Sequence, residues 1–169
     1  ARPGDVYGPG SSPWVVRPLK MLNRGVLVLP DGGRGMLDPT HVDNLVDVLI
    51  GLLEADATGE VFNVTDGQTV TTSDYFSYLA RIAGVDHVRT LPAPLVRAIA
   101  TVLRPIATLF GMDELPTPGV VDFLNRPAGY SVQKLRETID VRPRVDLDTG
   151  MEHLERWALE QGLAPPTRP

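Results

Sequence analysis

The chain has 169 residues, 43% of them hydrophobic and 22% charged, a composition suited to a globular domain with a substantial core. Its net charge of −5 and the lack of any Lys/Arg run argue against a nucleic-acid partner. There is no cysteine, which excludes disulfides, thiolate metal sites and cysteine nucleophiles and fits a reducing, cytoplasmic setting.

The chain opens on "RPGDVYGPG", in which Gly4, Gly8 and Gly10 have the spacing of a phosphate-binding loop. Such a loop needs a hydrophobic strand before it and a helix N-terminus aimed at the phosphates. Only Ala1, Arg2 and Pro3 precede Gly4, Pro9 removes a backbone donor, and no acidic residue stands about 20 positions on to hold a ribose. A turn at the end of a strand explains these glycines better.

"PWVVRPLKMLNRG" (13–25) predicts a short helix, kinked or split at Pro18 and stopped by Gly25. "VLVLP" (26–30) predicts a strand, closed by the turn "DGGRG". The clearest helix is 40–55, with Thr40 as its expected cap and Val42, Leu45, Val46, Leu49, Leu52 and Leu53 at helical spacing. "GEVFNVT" (59–65) reads as an interior strand of a parallel sheet whose partners are not visible nearby, so a further portion of sheet is expected outside these residues. A helix over 69–84 should be capped by Thr72 or Ser73 and should bury Phe76, Leu79, Ala80 and Ile82.

A strand is expected at 87–92, followed by helices at 94–110 and 118–125. The first of these helices is apolar, but Arg97, Arg104 and Pro105 interrupt it, which argues for a pocket-lining helix over a membrane span. A short helix at 132–139 follows Ser131, its natural cap, and an amphipathic helix at 145–162 should turn Leu154, Trp157 and Ala158 inward. Tyr130 and Lys134 have the four-residue spacing of a Tyr/Lys acid–base pair. Tyr130 falls before the helix, however, so the two would not share a helical face. His41, His87 and His153 lack metal-ligand spacing, so no metal site is expected. His41 is open to a capping, packing or substrate-contact role.

Taken together, "RPGDVYGPG", "LPDGGRGMLDPTHVDNLVD", "GEVFNVTDGQTVT" and "YSVQKLRETIDVRPRVDLDTGM" resemble the C-terminal half of the extended short-chain dehydrogenase/reductases, over nearly the whole chain. "MLDPTHVDNLVD" looks closest to their 3β-hydroxysteroid dehydrogenase-like group.

The resemblance implies an α/β fold: the last strands of a Rossmann-type NAD(P)-binding domain over 1–86 and a mostly helical substrate-binding subdomain over 87–169. The N-terminal cofactor-binding half would be missing from this chain and would be its partner. NAD or NADP would face Pro3, Gly4 and Val6. Asp5, Tyr7, Trp14, Arg34 and Leu37 would stand at the substrate pocket. The true Gly-rich loop and Tyr/Lys pair would lie upstream, so no catalytic residue is expected here and the chain alone should be inactive.

Nucleotide-sugar enzymes of this superfamily carry Asn and Arg where this chain has Asp5 and Leu37. An acid and an apolar residue fit phosphate poorly, which favours an apolar alcohol or ketone substrate. A nucleotide-sugar epimerase or dehydratase, with Arg34 supplying a phosphate contact, is the alternative. A non-catalytic binding module is the other. A homodimer is compatible with all three.

Overall fold

The computed structural model describes residues 1–109 and 117–165. Its first extended segment serves two strand pairs in succession. β1 (Arg2–Pro3) runs parallel to β6 (Asn63–Val64), and β2 (Asp5–Tyr7) runs parallel to β5 (Pro39–His41). The change of partner falls at Gly4, whose N–H donates to the Val64 carbonyl at 2.9 Å. A side chain there would meet the Asp38 carbonyl oxygen at 2.7 Å and the Thr65 methyl at 3.0 Å, so the residue is glycine because the two strands close on it. Gly8 and Gly10 then form the turn that leaves β2.

β3 (Val28–Pro30) pairs in parallel with β8 (Arg89–Leu91), and β4 (Met36–Leu37) pairs antiparallel with β7 (Val70–Thr71). These strands are only two or three residues long. Of the expected 59–65 strand, only two residues are paired.

The helices follow their apolar spacing. Residues 13–25 split as expected, into a π turn over Ser12–Val16 and α1 (Arg17–Asn23), with Pro18 in the first turn of α1, where its missing N–H costs nothing. α2 spans Val42–Glu54 and α3 spans Thr72–Ile82. α4 is Ala93–Leu109, so the last position of the expected 94–110 helix lies outside the described residues. α5 is Pro118–Leu124, α6 Gln133–Thr138 and α7 Leu147–Glu160. No helix among the described residues is long and apolar enough to cross a membrane.

Three caps differ from expectation. α2 is capped by His41, whose Nδ1 accepts from the Asp43 N–H at 3.3 Å, while Thr40 is spent in β5. α3 is capped by Thr71, one residue earlier than Thr72, in a reciprocal box with Asp74. The Thr72 hydroxyl instead donates to the carbonyls of Gly35 and Leu124. α6 begins from Val132 without a side-chain cap, although the Ser131 hydroxyl accepts from the Gln133 N–H at 3.3 Å.

The main core gathers Tyr7, Leu19, Leu29, Leu37, Phe76, Leu79, Met151 and Leu154 between α1, α3 and α7. Each such Leu contributes about 1.5–3 kcal/mol by leaving water. A smaller core, of Val48, Phe62, Val64, Leu135 and Ile139, lies between α2 and α6. α2 is the exception to the expected inward stripe. Val42, Val46, Leu49, Ile50 and Leu53 are all exposed, and Leu53 retains 82% of its surface.

Candidate functional site

β2 and β5 lie side by side, and two polar constellations grow from them. The first begins at Asp5, only 3% exposed on β2. Its Oδ2 accepts from the Asp38 N–H at 2.8 Å and from Arg126 Nη2 at 2.5 Å. Asp38, at the β4–β5 junction, is 1% exposed, and its Oδ2 stands 3.5 Å from the same Arg126 nitrogen. Asp38 Oδ2 also accepts from the Tyr130 N–H at 3.1 Å, and its Oδ1 accepts from the Thr69 hydroxyl at 2.7 Å. Gly129 permits this approach: a side chain there would lie 2.4 Å from Asp38 Oδ1.

Arg126 arrives from the loop after α5, held where its carbonyl accepts from the Met36 N–H at 2.9 Å. Its guanidinium sits 4.3 Å above the Phe123 ring and 5.3 Å from the Tyr130 ring. Its Nε–H has no partner among the described residues. Burial pushes the Asp5 carboxyl above its ordinary value, opposed by the Asp38 N–H and the Arg126 charge.

Beside this cluster the aromatic rings continue. Trp14 packs 5.8 Å from Phe123 and 5.9 Å, edge-on, from Tyr75, whose hydroxyl donates to the Trp14 carbonyl at 3.0 Å. Trp14 is half-buried, whereas Phe123 and Tyr130 are 37% and 52% exposed.

The second constellation centres on the Tyr7–His41 pair of β2 and β5. Tyr7 is fully buried, and its ring meets His41 edge-on at 5.3 Å. Its hydroxyl and His41 Nε2 both lack partners among the described residues. Burial raises the Tyr7 phenol far above its ordinary value and lowers His41. The backbone N–H of His41 donates to Asp66 Oδ2 at 2.8 Å, and burial lifts the Asp66 carboxyl to about 6.

The structure brings only some of the expected site residues together. Asp5 is locked to Arg126, Trp14 is on the aromatic face, and Tyr7 and Leu37 are buried in the main core. Arg34 is exposed, its Nε donating to the Asp31 carbonyl at 3.0 Å. Tyr130 and Lys134 part company, because Lys134 pairs with Glu60 at 2.5 Å while Tyr130 stacks on Arg126.

The residues the sequence reading missed are Asp38, Phe123 and Arg126. Two buried acids side by side require a cation, which "NRPAGY" carries, but nothing in the local sequence marks Asp5 and Asp38 as buried.

A dinucleotide does not fit the described residues by themselves. They contain no glycine-rich strand–loop–helix. No group of acids and histidines among them could hold a metal ion.

No family model matches the chain. It is 25% identical over 171 residues to the uncharacterized protein YbjS of Escherichia coli, covering 97% of this chain and 50% of that protein. It is 37% identical over 98 residues to a 3-diazoavenalumate denitrifying reductase of a Streptomyces species, covering 56% of this chain and 31% of the relative. It is 25% identical over 163 residues to the 2-alkyl-3-oxoalkanoate reductase of Stenotrophomonas maltophilia, covering 91% of this chain and 49% of the relative.

Among solved structures, the epimerase Mth375 of Methanothermobacter thermautotrophicus aligns at a TM-score of 0.68 with 20% identity, over 95% of this chain and 43% of that one. The UDP-glucuronic acid 4-epimerase of Bacillus cereus, in complex with UDP-glucuronic acid and NAD, aligns at 0.62 with 19% identity, over 95% and 44%. Over 95% of this chain the fold therefore matches a little under half of each of these epimerases, and in sequence the chain is similar to reductases and, at 29% identity over 119 residues, to the human short-chain dehydrogenase/reductase family 42E member 1. It spans at most about half the length of these curated relatives.

Proposed function

We propose that this chain is the substrate-side, C-terminal part of an NAD(P)-dependent reductase acting on an apolar alcohol or ketone. The observation that carries the reading is the capture of Arg126 by Asp5 and Asp38, which leaves no surplus positive charge where an anionic sugar nucleotide would need one. The names of two relatives, both reductases, support the same direction.

The dinucleotide and the proton-transferring groups would come from a further stretch of polypeptide comparable in length to this one. Its place is the exposed apolar face of α2, continuous with a cleft of about 430 Å³ lined by Leu49, Leu52, Leu53, Ala57 and Phe62. On this reading Pro3, Gly4 and Val6 would lie against the nicotinamide, and residues 87–169 would form the substrate subdomain. The chain alone would be inactive.

The test is NADH- or NADPH-dependent reduction of alkyl aryl ketones by the protein as its source makes it, compared with this chain alone. Turnover by the former and none by the latter is expected. Epimerisation of UDP-glucuronic acid without ketone reduction would overturn the reading. That second activity is the rival, favoured by the likeness to the Bacillus cereus enzyme.

A further inference from the structure

Around Arg126 stand the rings of Phe123 and Tyr130, with Trp14 packed on Phe123, together with the carboxylates of Asp5 and Asp38. Trp14, Phe123 and Tyr130 keep part of their faces open, although each is held in place from behind. Trp14 is braced by Tyr75, Phe123 by the guanidinium, and Tyr130 by its own N–H on Asp38. Large aromatic side chains that stay exposed on a fixed support are suited to stacking against another ring.

Charge then restricts what that ring can carry. With both carboxylates ionised, one guanidinium and two acids sum to a single negative charge. With one acid protonated, the cluster is neutral. In neither state does Arg126 have positive charge to spare, and Asp5 meets it at 2.5 Å, the closest of its contacts. Asp5 thus occupies Arg126 as a bound anion would.

We propose that the face formed by Trp14, Phe123 and Tyr130 around Arg126 receives a neutral aromatic ring, and that Asp5 is the residue that bars an anionic group from it. This deepens the reductase reading by naming the part of the substrate that this chain holds. Asp5 acts as a specificity determinant through Arg126; it is not a catalytic residue.

The experiment uses the whole chain and the indole N–H signals of its two tryptophans, Trp14 and Trp157, in a nitrogen-correlated NMR spectrum. Trp157→Phe assigns them. Titration with 2-naphthol should shift the Trp14 signal saturably and leave Trp157 still, whereas 2-naphthyl phosphate should bind at least about tenfold more weakly. The saturated analogue 2-decalol should also bind more weakly than 2-naphthol. In Asp5→Asn the gap between naphthol and naphthyl phosphate should narrow, because the cluster loses its surplus negative charge and Arg126 keeps only Asp38, at 3.5 Å.

Equal or tighter binding of the phosphate by the unaltered chain would overturn the proposal, as would no saturable shift with 2-naphthol. Should Asp5→Asn fail to fold, the contrast between the probes on the unaltered chain still decides. Ring binding without ketone reduction in the source protein would leave this inference standing and remove the reductase reading.

Discussion

The two polar constellations beside β5 bury similar groups in opposite ways. Around Asp5, Asp38 and Arg126, charge meets charge, and the carboxylates also take backbone and hydroxyl donors. Around Tyr7, His41 and Asp66, the rings pack but the Tyr7 hydroxyl, His41 Nε2 and Asp66 Oδ1 find no hydrogen-bond partner among the described residues. The first cluster depends on each of its members, so removing one strands the others. The second already bears the cost of unmade hydrogen bonds, so removing a polar atom there should cost little. The cluster rich in partners is therefore the brittle one.

Arg126→Met should break that contrast most severely. It leaves Asp5 and Asp38 buried without a cation and should destabilise the fold by about 3–5 kcal/mol, read from urea unfolding. Arg126→Lys should recover only part of the loss, since one ammonium cannot reproduce the planar fork. A loss under about 1 kcal/mol for the Met variant would show that the pair contributes little to folding.

Asp66 should sharpen the comparison through pH. Its carboxyl titrates at about 6 in the folded chain against an ordinary 3.8, so between those values the native state holds a proton that the unfolded state has released. Its contribution is therefore most favourable below about pH 4 and is lost as pH rises through about 6. Asp66→Asn should remove that fall, raising Tm relative to the unaltered chain at pH 7 but not at pH 4. A difference in Tm that does not vary between the two pH values would contradict the assignment.

Tyr7→Phe should have the smallest effect. It deletes a buried hydroxyl that has no partner among the described residues and keeps the ring against His41 and Tyr75. Unfolding should shift by less than about 1 kcal/mol, toward greater stability. A loss of 2 kcal/mol or more would mean that the hydroxyl is bound in solution, for example by a buried water.

The helices were legible because their evidence is local. Phe76, Leu79, Ala80 and Ile82 repeat at the period of α3, and Leu154 and Ala158 do the same in α7. Strands of two or three residues leave no such repeat, so Met36–Leu37 and Val70–Thr71 could not be seen until their partners were in place. Caps failed by single residues because Thr71, Thr72 and Ser73 all have a suitable hydroxyl, and only the carbonyls of Gly35 and Leu124 decide that Thr72 is used elsewhere.

The site was legible in part. Asp5 and Trp14 were named only through the family resemblance, and Arg126 is 121 residues from Asp5, with nothing local to announce a partner at that distance. α2 misled for a different reason. Its apolar spacing is that of a helix covered on two sides, and the described residues cover one.

Gly4 joins two parts of the molecule. The stretch from Arg2 to Tyr7 is stitched to β6 before it and to β5 after it, so it touches the smaller core at one end and the main core at the other. A segment pinned in this way acts as a splice between two beams. Tilting the α2–α6 layer would pull on the β2 backbone that carries Asp5, and the carboxylate facing Arg126 would register the movement. The aromatic face and α2 are thereby joined along the backbone twice, at Gly4 and through β5, which runs directly into α2.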